Sequence, residues 1–142
     1  MTELFLLARV AGRGVAIETG QVGSVVDIGD VVAVPGAPIA IRGLAALRSR
    51  VVTVIDTGLA LGLKSTAGMV RRAVITKVDG HDYAFIVEAL EDVAPFDRLP
   101  LSSGLALDRG WAVAGTGMVE RDGEPLLILD IAALVPVMAN VA

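Results

Sequence analysis

Cysteine is absent from the 142 residues, so neither a disulfide framework nor a thiolate metal site is possible. Histidine occurs once, at His81, so a histidine-based metal site would have to be completed by carboxylates. No basic run or patch of interleaved aromatics appears, and the net charge is −4, which argues against nucleic acid as a partner. Aromatic residues make up only 4%. No apolar run is long enough to span a bilayer: the most apolar segment, Pro125 to Ala142, is interrupted by Asp130 and Pro136. The N-terminal MTELFLLARV has Glu3 ahead of its apolar run and no basic region or cleavage site, so a soluble cytoplasmic protein is expected.

What is abundant is aliphatic. Hydrophobic residues are 54% of the chain, mostly Val, Ile, Leu and Ala. Either part of this apolar surface faces a partner, or the domain is simply aliphatic and compact. Composition leaves both readings open.

Turn signals divide the chain into short strands. Leu4–Val10 and Val15–Ile17 flank a glycine turn at Gly12, and Arg72–Val78 and Tyr83–Val87 flank Asp79-Gly80. Val31–Val34 reads as a strand stopped by Pro35-Gly36, and Ile39–Ile41 as a short one after Pro38. Arg50–Ile55 is β-branched and strand-like, and Leu59–Leu63 suits one helical turn ending at Gly62. Pro95 and Pro100 are expected to break the path after Val93. Trp111–Thr116 and Pro125–Leu129 complete the strands, with Glu120 to Gly123 as a charged turn. A short helix from Ile131 would have Asp130 as its N-cap.

The two halves resemble each other. With a shift of 68, Phe5-Leu6-Leu7 falls on Ala73-Val74-Ile75, Gly12 on Gly80, and Val15-Ala16-Ile17 on Tyr83-Ala84-Phe85. Larger shifts place Ile41-Arg42-Gly43 on Val113-Ala114-Gly115 and Val54-Ile55-Asp56 on Ile128-Leu129-Asp130. About five short strands per half close most easily into a small barrel. The expectation is one all-β domain over 1–142, made of a first barrel over 1–66 and a second over 67–142.

Asp56-Thr57-Gly58, after an apolar strand, matches an aspartic protease loop. That chemistry needs two carboxylates sharing a proton, each in such a loop. The repeat-equivalent Asp130 is followed by Ile131-Ala132, so the second loop is missing, and both aspartates read instead as strand ends capping short helices. No cofactor or metal pattern recurs.

One combination is more specific. Val34-Pro35-Gly36-Ala37-Pro38, Ile41-x-Gly43, Leu47-Arg48 and Val52-x-Val54-Ile55-Asp56 resemble the CheW-like domain of bacterial chemotaxis. So do Val74–Val78, Ile86-Val87-Glu88, Asp92-Val93 and Leu127–Asp130 in the second half. The resemblance runs from about Leu4 to Val135. It implies two five-stranded SH3-like β-barrels and a non-catalytic adaptor. The implied partners are the regulatory domain of a CheA-type histidine kinase and the cytoplasmic tips of methyl-accepting chemoreceptors, in membrane-associated arrays. A CheW-like scaffold of a non-motility pathway is the alternative. Ala46-Leu47-Arg48-Ser49 departs from the family's Asn-Leu-Arg-Gly, and Ser49 takes positive φ less freely than glycine. The residues expected to bind protein are Val34, Pro35, Gly36, Gly43, Leu44, Leu47 and Arg48.

Overall fold

The computed structural model describes residues 2–63, 65, 72–100 and 114–135. Ten strands form two five-stranded sheets. They are β1 (Thr2–Val10), β2 (Arg13–Glu18), β3 (Ser24–Asp27), β4 (Ile41–Leu47), β5 (Arg50–Asp56), β6 (Arg72–Val78), β7 (His81–Ile86), β8 (Ala89–Asp97), β9 (Gly115–Arg121) and β10 (Glu124–Leu129). A short helix α1 (Thr57–Ala60) follows β5, and a 3₁₀ turn (Ile131–Leu134) follows β10.

The sheets interleave the two halves. One runs β8-β1-β2-β10-β9 and the other β3-β6-β7-β5-β4. We call them barrel A and barrel B. Each takes a hairpin from the opposite half of the chain, docked parallel: β2 on β10, and β7 on β5. The expected division at 66/67 is therefore corrected. The repeat is real, but each half lends its first hairpin to the other half's barrel.

The exchange follows from the apolar pattern. β1 and β6 carry continuous apolar runs, as strands buried on both faces do. Phe5 and Leu7 point into barrel A with Ala16, Val119, Leu126 and Ile128. Ala73 and Ile75 point into barrel B with Val52, Val54, Ala84 and Ile86. The alternate residues, Leu6, Ala8, Val10, Val74 and Phe85, meet in a third cluster between the barrels, with Ile17, Ile55, Leu129 and Ile131. Much of the aliphatic excess is thus used internally, and composition by itself does not call for a partner.

Each sheet closes at one bridge. Val32 and Leu44 exchange backbone hydrogen bonds of 2.8 and 2.9 Å, and Leu99 and Met118 do so at 2.7 and 2.8 Å. Val32 is thus a single bridge residue, not part of a Val31–Val34 strand. A glycine stands beside each bridge. At Gly43, φ is 141° and a Cβ would lie 2.1 Å from the Val32 carbonyl oxygen; at Gly117 a Cβ would lie 3.0 Å from that of Leu99. The structural partner of Gly43 is therefore Gly117, not Gly115. The offset of 74 that relates Asp56 to Asp130 holds through the whole of β4–β5 and β9–β10.

Other expectations shift at their edges. Pro95 lies inside β8, opposite Leu4, because β8 is an edge strand where a missing N–H is tolerated. The charged turn narrows to Asp122-Gly123, with Glu120 and Arg121 in β9. The Ile39–Ile41 strand starts instead at Ile41 as β4, and of Trp111–Thr116 the first three residues lie outside the described residues while Gly115 and Thr116 begin β9. Asp130 occupies the N-cap position without a side-chain cap. Its carboxylate accepts from the Gln21 amide, whose oxygen accepts from the Ile131 N–H at 3.1 Å. The Gln21 carbonyl also accepts from the Thr76 hydroxyl at 2.9 Å, so this residue ties the end of barrel A to β6 of barrel B.

Candidate functional site

The expected binding residues all lie on barrel B, but β4 distributes them over different surfaces. Strand residues alternate between faces. Gly43 is buried at the bridge, where it allows close approach of Val32 and offers no side chain. Leu44 points outward and is part exposed, whereas Leu47 packs against the barrel core.

Val34, Pro35, Gly36 and Leu44 converge on one groove of about 340 Å³. Ala37, Pro38, Ile41, Thr53 and Tyr83 complete its walls, and none of these nine residues is charged. Gly36 takes φ 80°, which sets the turn that folds Pro35 and Pro38 over β4. Nearby Ile39 is 81% exposed and Val32 69%, large values for residues whose burial is worth about 1.5–3 kcal/mol each. The groove continues the interbarrel face, since Thr53 pairs with Tyr83 and, two rungs on, Ile55 pairs with the buried Phe85. Sequence reading missed Thr53, Tyr83 and Ile39. Thr53, between the buried Val52 and Val54, was the available signal for an outward face.

Leu47 and Arg48 line a second, separate cleft of about 440 Å³, with Arg50, Lys77, Asp82 and β3. Arg48 begins the two-residue turn between Leu47 and Arg50 and has φ 58°. The positive φ therefore falls on Arg48, and Ser49 is not among the positive-φ residues, so the turn does not ask of Ser49 the conformation that glycine takes more freely. The other three hairpins place Gly12, Gly80 and Gly123 at their second turn position.

Asp56 is fully buried. Its carboxylate accepts from the Leu59 N–H at 3.1 Å and from the Ser65 hydroxyl at 2.5 Å. These contacts cap α1, and the buried group has no open face toward a substrate. Asp130 ends a strand of the other barrel.

With this geometry in view, a family model, the CheW-like domain, matches residues 4–137. The chain belongs to the CheW-like domain family. No curated protein matches it in sequence. Among solved structures it is similar to the scaffolding protein TtCheW from Thermoanaerobacter tengcongensis, with a TM-score of 0.82 and 22% identity. That similarity covers 96% of this chain and 94% of the other. The shared fold is two SH3-like β-barrel subdomains, and family membership marks the CheW-like chain as a chemotaxis scaffold or adaptor.

Barrel A offers a different surface at the equivalent places. Its β9–β10 face carries Met118 opposite Leu127 and Glu120 opposite Pro125, where barrel B has Leu44 opposite Thr53 and Ala46 opposite Val51. Arg98 donates to Glu3 at 3.1 and 3.2 Å and to Glu18, tying β8 to β1 and β2, with its guanidinium 5.8 Å from the Phe5 ring centroid. The Arg98 hydrogen bond holds the Glu3 carboxyl below the usual carboxylate range.

Proposed function

We propose that the chain is a non-catalytic adaptor that couples methyl-accepting chemoreceptors to a CheA-type histidine kinase in cytoplasmic signalling arrays. The observation that carries this reading is the uncharged groove of barrel B, bordered by the exposed Val32, Val34 and Ile39. A surface of this kind gains free energy by burial against a partner. Val34, Pro35, Gly36 and Leu44 make the apolar contact, and Arg48 supplies charge at a neighbouring surface. No helix among the described residues is long and apolar enough to cross a membrane, which fits attachment to arrays through partners.

The test is direct capture. Purified chain is titrated with a kinase regulatory domain and with a soluble receptor-tip fragment. The reading expects binding to both, weakened by Val34→Asp and by Arg48→Glu with the circular dichroism spectrum retained. Binding to neither, or peptide cleavage abolished by Asp56→Asn, would overturn it. Binding to a kinase of a non-chemotaxis system alone would assign the scaffold to a different pathway, a reading motivated by Ala46 and Ser49 flanking Leu47-Arg48.

A further inference from the structure

The two barrels share a register, so each position in one has a counterpart in the other. Leu7 pairs with Asp92 in barrel A, and Ile75 pairs with Ser24 in barrel B. One residue earlier stand Glu91 and Gly23. In barrel A, Glu91 fills the seam between β8 and β9, with Arg9 at 3.7 Å and Arg121 at 3.6 Å. In barrel B the glycine puts no side chain into the seam, its backbone lying close enough to β6 that a Cβ would be 3.0 Å from the Ile75 carbonyl oxygen, and Lys77 stands where Arg9 does. Arg48 and Arg50 stand on the hairpin where barrel A has Asp122 and Glu124.

The result is the cleft of about 440 Å³ beside β3. Val25, Leu47 and Ile75 give it an apolar lining, and Arg48, Arg50 and Lys77 line it with cations. Arg50 is held by Asp82 at 3.1 Å. Among the described residues, neither Arg48 nor Lys77 has an ion-pair or hydrogen-bond partner for its side chain. Among the described residues β3 pairs only with β6, and alternate backbone groups on its other edge have no strand partner there.

We infer that this open seam receives an extended acidic segment of a partner protein, added beside β3, with a carboxylate between Lys77 and Arg48, much as Glu91 lies between Arg9 and Arg121 in barrel A. Strand addition supplies backbone hydrogen bonds, and the cations select acidic over neutral side chains. The inference rests on the adaptor reading for which protein carries the segment, and on the cleft alone for its chemistry.

The probe is a synthetic peptide of Ala89–Asp97, ALEDVAPFD, the strand that carries Glu91, whose side chain fills the equivalent seam of barrel A. Titrated into the intact ¹⁵N-labelled chain at low salt, it is expected to shift the amides of Ser24–Asp27, Arg48 and Lys77. Affinity is expected to fall at least tenfold in Lys77→Glu, to survive in Lys77→Arg, and to fall at least tenfold for a peptide with Gln and Asn replacing its Glu and first Asp. Equal binding of that substituted peptide, shifts confined to the Pro35–Tyr83 groove, or no shift at all overturns the inference. Capture of the kinase domain and receptor tip without peptide binding also overturns it and leaves the adaptor reading intact. Peptide binding in the cleft together with failure to capture either partner upholds it and sinks the adaptor reading.

Discussion

Barrel A and barrel B are built alike and finished differently. Both have the same strand order under exchange of halves, the same parallel junction, and a closing bridge beside a glycine. Barrel A then closes its seam with Glu91 between two arginines and fastens β8 through Arg98. Barrel B leaves its seam open, keeps two cations unpaired among the described residues and exposes an uncharged groove. The shared features are those that closure and core packing require. The differences are those that packing does not require, and the proposed adaptor reading assigns partner binding to barrel B.

The comparison can be broken most severely at the closing glycines. Gly43→Ala puts a methyl group 2.1 Å from a backbone oxygen at φ 141°, and neither the carbonyl nor the φ can relax without opening the bridge. A loss of about 3 kcal/mol or more is expected by urea denaturation. Gly117→Ala meets its carbonyl at 3.0 Å with no positive φ, so a loss of about 1 kcal/mol is expected. Equal losses would mean the two bridges are equivalent. Next comes Gln21→Ala, which removes the side-chain bonds to Asp130 and the Ile131 N–H and keeps only the backbone bond from Thr76. About 1–2 kcal/mol should be lost, with the largest rise in hydrogen exchange at Ile131.

Smaller effects sharpen the hairpin contrast. Arg48→Gly relieves a left-handed conformation at a bulky residue and should stabilise the fold by about 1 kcal/mol, whereas Ser49→Gly should give no gain. The smallest effect concerns pH. Because Glu3 is held below its ordinary carboxylate pKa, the folded state releases its proton more readily than the unfolded chain. Its contribution is present above the unfolded value and is lost as pH falls through the folded one. Arg98→Met should therefore flatten this part of the acid limb of a stability–pH curve. An unchanged limb would show that Arg98 does not couple to Glu3.

How far the sequence disclosed this depends on the interaction concerned. Strand identities, three glycine-containing hairpins and the repeat were legible because they rest on local turn chemistry and period-two patterns, as in Asp79-Gly80 and Val52-x-Val54. The exchange of hairpins was not, because β1 fits equally well into a barrel of its own half. Only the double-sided burial of Leu6 and Leu7 hints at the interbarrel layer. The repeat counterpart of Gly43 falls two residues from the sequence-based match because Gly115 and Gly117 are both glycines, and only the pairing register separates them. Within the candidate site, Pro35-Gly36 and Arg48 stood out as turn and charge signals. Tyr83 and Lys77 did not, since they reach their surfaces from the opposite half of the chain.

The central proposal is that partners recognise barrel B through a face that barrel A lacks. The most direct measurement compares two matching substitutions, Leu44→Glu and Met118→Glu, in quantitative binding to the kinase regulatory domain and the receptor tip. Leu44→Glu should weaken at least one of these interactions tenfold or more, and Met118→Glu should leave both within about twofold. Equal losses, or a loss confined to Met118→Glu, would contradict the account.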